Sequence, residues 1–202
     1  MNSRERILGA VQRHQPPAVP LPALPDLQAD APATLAVFAT ALQRMGGQFV
    51  QPAPGQTLVE VLQATHPEAG VVVSATPELP GTRPLPAAYE PGALEDVDVG
   101  VARAAFGVAE TGSVLLTERE MPAQALGFLA QHLVVLLDPA AIVATMHDAY
   151  ADARVAAARY AIFMTGPSAT ADIEGVLIHG AQGVRSLTVV PLDGRGPGRN
   201  SR

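Results

Sequence analysis

Tyr160–Gly183 reads YAIFMTGPSATADIEGVLIHGAQG, and the order of residue types in it sets the reading of the whole chain. An apolar run, Tyr160–Met164, enters a Gly166-Pro167-Ser168 turn. Thr170-Ala-Asp-Ile-Glu174 then has the look of a first helical turn, and a second glycine loop, His179-Gly-Ala-Gln-Gly183, follows a short apolar run. A packed core has no use for glycine, serine, acids and histidine gathered between apolar runs. Loops that present backbone to a ligand do. The stretch therefore predicts a small-molecule site on an α/β scaffold.

Composition narrows the class. The chain has 202 residues, 48% of them hydrophobic and 16% charged, which is the balance of one globular domain with a sizeable core. No apolar run approaches the ~20 residues that span a bilayer. The N-terminus reads as an amphipathic helix rather than a signal peptide. A cytoplasmic setting is the expectation. Cysteine is absent, which excludes disulfides and a cysteine-held iron–sulfur cluster. All 13 basic residues are arginine, so neither a Schiff-base lysine nor a Walker-type phosphate lysine can operate. Three arginines lie in the tail 194–202; without them ten basic residues face 19 acidic ones, a balance of −9. Such a surface does not suit general nucleic-acid binding.

Working outward, Asn2 and Glu5 have capping-box spacing ahead of Ile7, Leu8 and Val11 on one helical face. Six prolines between Gln15 and Pro32 make that segment an extended arm, suited to contacts with a second copy of the chain. Asp30-Ala-Pro32 is read as the start of a helix carrying Leu35, Phe38, Leu42 and Met45, ended by Gly46-Gly47. Gln48–Gln51 is a short strand, Thr57–Ala64 a helix with a second capping box, and Val71–Ser74 a buried strand. Thr76–Pro91 is a proline-rich connection. Val97–Val101 and Phe106–Val108 precede an Ala109-Glu-Thr-Gly112 turn and a further strand, Ser113–Thr117, the pattern of a hairpin. Leu126–Ala130 is a helical turn and His132–Leu137 the most apolar strand. Asp138-Pro139 is read as opening a helix through Ile142, Val143 and Met146. An alanine-rich helix precedes Tyr160, and Ser186–Pro191 is the last strand. Strands alternating with helices predict an α/β fold of three layers, a largely parallel sheet with helices on both faces. The organisation expected is an N-terminal helix and arm over 1–32, an α/β domain over 33–193 and a disordered basic tail over 194–202.

Two places could carry chemistry. The Gly166-Pro167-Ser168 turn, if it opens a helix, aims free N–H groups and the positive end of a dipole at an anion; ordinary capping by Ser168 or Thr170, with Asp172 complementing the dipole, explains the same residues. Glu110, between Gly107 and Gly112, could be a nucleophile or general base, or an ordinary exposed turn acid. Of the five histidines only His179 falls in a glycine-flanked polar loop near Asp172 and Glu174. His14 and His66 lie beside prolines, and His147 beside Asp148. No metal-ligand spacing occurs, and no metal is expected.

Val99–Ser113, VGVARAAFGVAETGS, together with Gly166–Glu174, GPSATADIE, and His179–Gly183, resembles the LUD-domain family, in its lactate utilization protein C branch. The resemblance continues through Leu187–Leu192. It implies a three-layer α/β fold related to ribose-phosphate isomerase and coenzyme A transferase domains. It also implies an accessory role in oxidising L-lactate to pyruvate, with no cofactor of its own and iron–sulfur clusters on partner subunits. The ligand would be a small anion, touched by Thr111, Gly112, Gly166, Pro167, Ser168, Thr170, Asp172, Glu174, Gly180 and Gly183, with Glu110 and His179 as the candidate catalytic groups. Coenzyme A transferases carry a catalytic glutamate in a Ser-Glu-Asn-Gly turn similar to Ala109–Gly112, which leaves an acyl-transfer or isomerase-like enzyme as the alternative. Ala169, Gln182 and Gln124 stand where the family usually has arginine, histidine and arginine. The resemblance is therefore also compatible with an interaction module that has lost its ligand. Arg103, Arg119 and Arg185 are the candidates to replace the missing cations.

Overall fold

The computed structural model describes residues 2–20, 22, 33–86, 91–172, 175–180 and 182–192. In chain order the elements are α1 (Ser3–Arg13), α2 (Leu35–Arg44), β1 (Gln48–Phe49), α3 (Leu58–Thr65), β2 (Val72–Ser74), β3 (Val99–Arg103), β4 (Phe106–Val108) and β5 (Ser113–Thr117). They continue with α4 (Leu126–Leu129), β6 (His132–Leu137), β7 (Ile142–Val143), α5 (Met146–Ala151), α6 (Ala153–Ala157), β8 (Ala161–Met164), β9 (Ala169–Thr170), β10 (Ile178–His179) and β11 (Ser186–Pro191).

The central sheet is wholly parallel, in the order β1-β11-β6-β3-β2. Its strands are near-continuous apolar runs because both faces are covered. On one face Val72, Val99, Val101, Val134, Leu136 and Val190 pack under Val61 and Leu62 of α3. On the other, Ala102, Leu133, Val135, Leu137 and Val189 meet Phe38 and Leu42 of α2 and Leu126 of α4. That is the α/β, three-layer arrangement expected. A second sheet, β7-β4-β5-β8, shares the second face, its Val114 and Leu116 joining the same core. Its outer side, with Phe106, Val108 and Leu115, is closed by Ala149 of α5 and Val155 of α6. Both Phe38 and Leu42 are fully buried; truncating either to alanine removes about 2–5 kcal/mol.

Local signals placed most elements. The boxes at Asn2/Glu5 and Thr57/Glu60 form at α1 and α3, and β4 and β5 pair antiparallel across the Ala109–Gly112 turn. Three expectations need correction. α2 starts at Leu35, with the Thr34 hydroxyl accepting from the Val37 N–H at 3.3 Å; Asp30 and Pro32 lie outside the described residues, and Met45 falls beyond the helix and is exposed. No helix runs from Asp138 through Met146. Asp138 accepts from the Ala140 N–H and opens one tight 3-10 turn, after which the β-branched pair Ile142-Val143 joins the sheet beside Gly107-Val108. The sheet supplied the pairing that the chain's own helical signals could not outweigh. α5 begins only at Met146, capped by Thr145 and Asp148.

The third correction is at Thr170. Ala169–Thr170 is strand β9, paired antiparallel with Ile178–His179, and no helix opens at Gly166–Asp172. Ser168 N–H donates to the Val184 carbonyl and Gly180 N–H to the Ser168 carbonyl, so the backbone is already committed to strand-like pairing. Ile173, Glu174, Ala181 and the tail from Asp193 lie outside the described residues.

Candidate functional site

The two glycine motifs meet, but on a helix end rather than around a cavity. Gly112 has φ +67°, and a Cβ there would drive into the backbone of Ala41 and Leu42 in α2. Gly166 has φ +64°, and its Cβ would collide with the Met45 carbonyl just past the same helix. Thr165 ties the motifs together, its hydroxyl lying 3.3 and 3.2 Å from the carbonyls of Thr111 and Gly112. A hydroxyl proton serves one acceptor at a time, so these are alternative or shared bonds. Thr111 Oγ1 donates to Ser113 Oγ at 2.8 Å and leaves the turn internally satisfied. The glycines are thus needed for close backbone approach.

Glu110 is exposed, and its carboxylate accepts from the Met146 N–H at 2.9 Å. It serves the first turn of α5, where a negative charge complements the free N–H groups. It lines a shallow groove with Val37, Thr40, Ala41 and Arg44 of α2. Ser168, Pro167 and Gly166 line a different cleft of about 300 Å³, with Gly127, Gln182 and Gly183 among its other walls. That cleft holds no charged side chain among its lining residues. His179 and Asp172 line neither of these, and both are exposed on the β9–β10 hairpin, where Asp172 accepts from the Thr170 hydroxyl at 2.8 Å. Gly180, at φ +74°, turns the chain against Arg185. Ser168 adjoins this hairpin, its carbonyl accepting from the Gly180 N–H at 2.7 Å, but neither Asp172 nor His179 lines the Ser168 cleft, and Glu110 lines a different groove.

Charge gathers instead at the carboxyl ends of β2 and β3. Ala75 and Thr76 follow β2, and Arg103 and Ala104 end β3; with Glu78, Arg119, Glu120 and Arg154 they line a cleft of about 480 Å³. Open parallel sheets bind ligands at this end. The Arg103 guanidinium pairs with Glu78, whose side chain is only 7% exposed. Burial pushes the Glu78 carboxyl up, but bonds from Thr76, from its own backbone and from Arg103 outweigh this and hold it below the usual carboxylate range. Arg154 stands 4.6 Å above the Phe106 ring, donates to the Ala105 carbonyl at 2.7 Å and pairs with Asp152 at 2.7 Å. The Arg154 side chain and backbone N–H together draw the Asp152 carboxyl down to about 2. Arg119 is exposed, and among the described residues its guanidinium has no carboxylate partner. Three cations against Glu78 and Glu120 leave the lining at +1.

Of the three arginines that sequence reasoning could not choose between, the fold puts Arg103 and Arg119 in this cleft and Arg185 at the other end of the sheet. Arg154 escaped notice, sitting in an alanine-rich helix with nothing local to mark it. His66, His132 and Ser186 escaped as well. The available signal was a polar residue at the first position of two largely apolar strands, β6 and β11. Among the described residues no three His, Asp or Glu side chains gather as a metal would need, and no helix is long and apolar enough to cross a membrane.

Comparison with known proteins bears on the fold and on the second half of the chain. The crystal structure of a DUF162 family protein from Deinococcus radiodurans superposes with a TM-score of 0.59 at 16% identity, covering 78% of this chain and 94% of that one. At that identity the likeness concerns the fold. A search of curated proteins finds no match. Residues 93–191 match the LUD domain family. This segment runs from just before β3 to the end of β11 and includes both glycine motifs and all three arginines of the cleft. The segment 93–191 is thus identified as matching the LUD domain.

Proposed function

We propose that the chain is an accessory subunit of an L-lactate oxidation system, in the manner of lactate utilization protein C, and that it binds a small anionic metabolite. In this reading it carries no redox centre, works in the cytoplasm, and relies on partner subunits for iron–sulfur clusters. One observation carries the ligand assignment: Arg103, Arg119 and Arg154 line one cleft at the carboxyl ends of the parallel strands, with Arg119 unpaired among the described residues. A carboxylate with a neighbouring oxygen, as in a 2-hydroxy or 2-oxo acid, suits an arginine fork. Glu78 and Asp152 hold two of the forks in place before the ligand arrives. Only the third must be ordered.

The test is calorimetric titration of L-lactate and pyruvate into the full chain and into Arg119→Gln. Binding weakened about tenfold or more in the variant is expected, since a charge-assisted bond contributes about 1.5–3 kcal/mol. Equal binding in both proteins would remove the cleft from consideration. Deleting the gene should abolish growth on L-lactate; normal growth would overturn the pathway assignment, and co-purification with cluster-bearing partners would strengthen it.

The acyl-transfer alternative, with Glu110 as nucleophile, has less support, because that carboxylate is engaged by α5 and lies outside the cleft lined by Arg103, Arg119 and Arg154. A covalent adduct on Glu110 after incubation with an acyl-coenzyme A would revive it. Failure of every small anion to bind would favour an interaction module.

A further inference from the structure

At the amino-terminal end of the parallel sheet, adjacent strands open on polar residues. His132 begins β6, Ser186 begins β11 in register with it, and Asp98 immediately precedes β3. With His66 after α3, Gln131 and Arg185, they line a cleft of about 430 Å³. The rings of His66 and His132 lie 4.9 Å apart between centres, inclined at 53°.

Hydrogen bonds decide what each ring offers. With the Thr65 hydroxyl proton on the Val61 carbonyl, at 2.9 Å, the Thr65 oxygen accepts from His66 Nδ1, also at 2.9 Å; with that proton on Nδ1 instead, the roles reverse. In the first arrangement neutral His66 carries its proton on Nδ1 and leaves Nε2 as a lone pair with no partner among the described residues. His132 uses its own Nδ1 on Ser186 Oγ, at 2.8 Å. Burial first, and then His132, lower the pKa of His66; burial and then Arg185 lower that of His132, with Asp98 opposing.

The other charged groups lining the cleft are Arg185, Asp98 and Glu68. Asp98 is occupied, since its Oδ2 accepts from the N–H groups of Gly70 and Val71 at 2.8 and 2.7 Å. Glu68 is exposed. A cation would meet Arg185 and too few ligands. An anion would meet a guanidinium, two imidazoles able to gain protons and the amide of Gln131, against the carboxylates of Asp98 and Glu68, so the lining turns from −1 to +1 only as both rings are protonated.

We propose that this cleft is a proton-coupled site for a small oxyanion, held by the Arg185 guanidinium and by His66 Nε2, which donates only after its ring takes up a proton. The bound anion stabilises the imidazolium that binds it, so anion affinity and proton affinity rise together. The site is distinct from the arginine cleft at the opposite end of the sheet, and it stands or falls separately.

Sulfate and pyruvate keep a fixed charge between about pH 5.5 and 8, far above their own acid pKa values, so any pH dependence of their binding belongs to the protein. Each is titrated calorimetrically into the full chain across that range at constant ionic strength. Sulfate affinity should tighten as pH falls, by up to about tenfold per unit where one proton is taken up. Arg185→Gln should weaken sulfate at least about tenfold at every pH. His66→Gln should retain binding but lose most of its pH dependence. With Arg119→Gln as background, so that the arginine cleft contributes little, stronger sulfate than pyruvate binding would identify a phosphate-type ligand; the reverse would identify a carboxylate. Absence of binding at pH 5.5, binding with no pH dependence in the wild type, or insensitivity to Arg185→Gln would each overturn the proposal. Should the variants misfold, histidine ring resonances of the wild type give the answer, because sulfate must raise the His66 pKa. An unmoved titration curve refutes the site.

Discussion

The turns at Ala109–Gly112 and Gly166–Ser168 and the arginine cleft at the ends of β2 and β3 make opposite impressions in sequence and in space. The turns are conspicuous as strings of residues, yet in the fold they press against the end of α2, and their glycines are where a side chain would collide with it. The cleft has no string at all. Its members come from four segments: Thr76–Glu78, Arg103–Ala105, Arg119–Glu120 and Arg154. A glycine motif records a local backbone requirement. A binding surface records only which segments the topology brings together.

The sharpest way to break this comparison is at Gly112. Gly112→Ala combines a left-handed backbone with a collision against α2, and should lower unfolding stability by about 3 kcal/mol in chemical denaturation. Gly175→Ala is the control: φ is also positive, at +70°, but a Cβ there meets nothing within 4 Å, so about 1 kcal/mol is expected. If the two variants were equally stable, close packing would not be what Gly112 is for.

Arg119→Gln probes the other half of the comparison. The anion should bind about tenfold more weakly, about 1.4 kcal/mol, while the thermal midpoint barely moves, because the side chain is exposed and carries no ion pair among the described residues. A large loss of stability would make Arg119 structural. Asp152→Asn should cost about 1 kcal/mol, as Asp152 both caps α6 and pairs with Arg154. Its folded pKa is depressed to about 2 from 3.8, so the carboxylate's contribution is fully present above the unfolded value and disappears as pH falls through about 2. The wild type and variant should therefore converge in stability in strong acid. Glu110→Gln should have the smallest effect, about 0.5 kcal/mol from the weakened interaction with the first turn of α5. Loss of a measurable acyl-transfer activity in that variant would move Glu110 from a capping role to a catalytic one.

Much of the architecture could be read from the chain because its determinants are short-range. Asn2/Glu5 and Thr57/Glu60 close within one helical turn. The apolar runs Val99–Val101 and His132–Leu137 announce buried parallel strands whatever their neighbours. Ile142-Val143 shows where that stops. Asp138-Pro139 is a genuine helix signal, and only the open edge of β4 diverts the following pair into a strand. Thr170–Asp172 shows it again: GPS followed by Thr-Ala-Asp spells a helix start, but pairing with Ile178–His179 wins.

The candidate sites divide the same way. Sequence alone determined the α/β class, most element boundaries, the absence of cysteine and lysine chemistry, and the glycine positions, because backbone conformation, capping and hydrophobic periodicity act over a few residues. Tertiary structure alone decided that Glu110 and Ser168 line different clefts, that Arg103, Arg119 and Arg154 share one, and that His66 faces His132. The parallel strand order β1-β11-β6-β3-β2 brings together residues more than a hundred positions apart. Charges and imidazoles act through space, and no spacing along the chain records that distance.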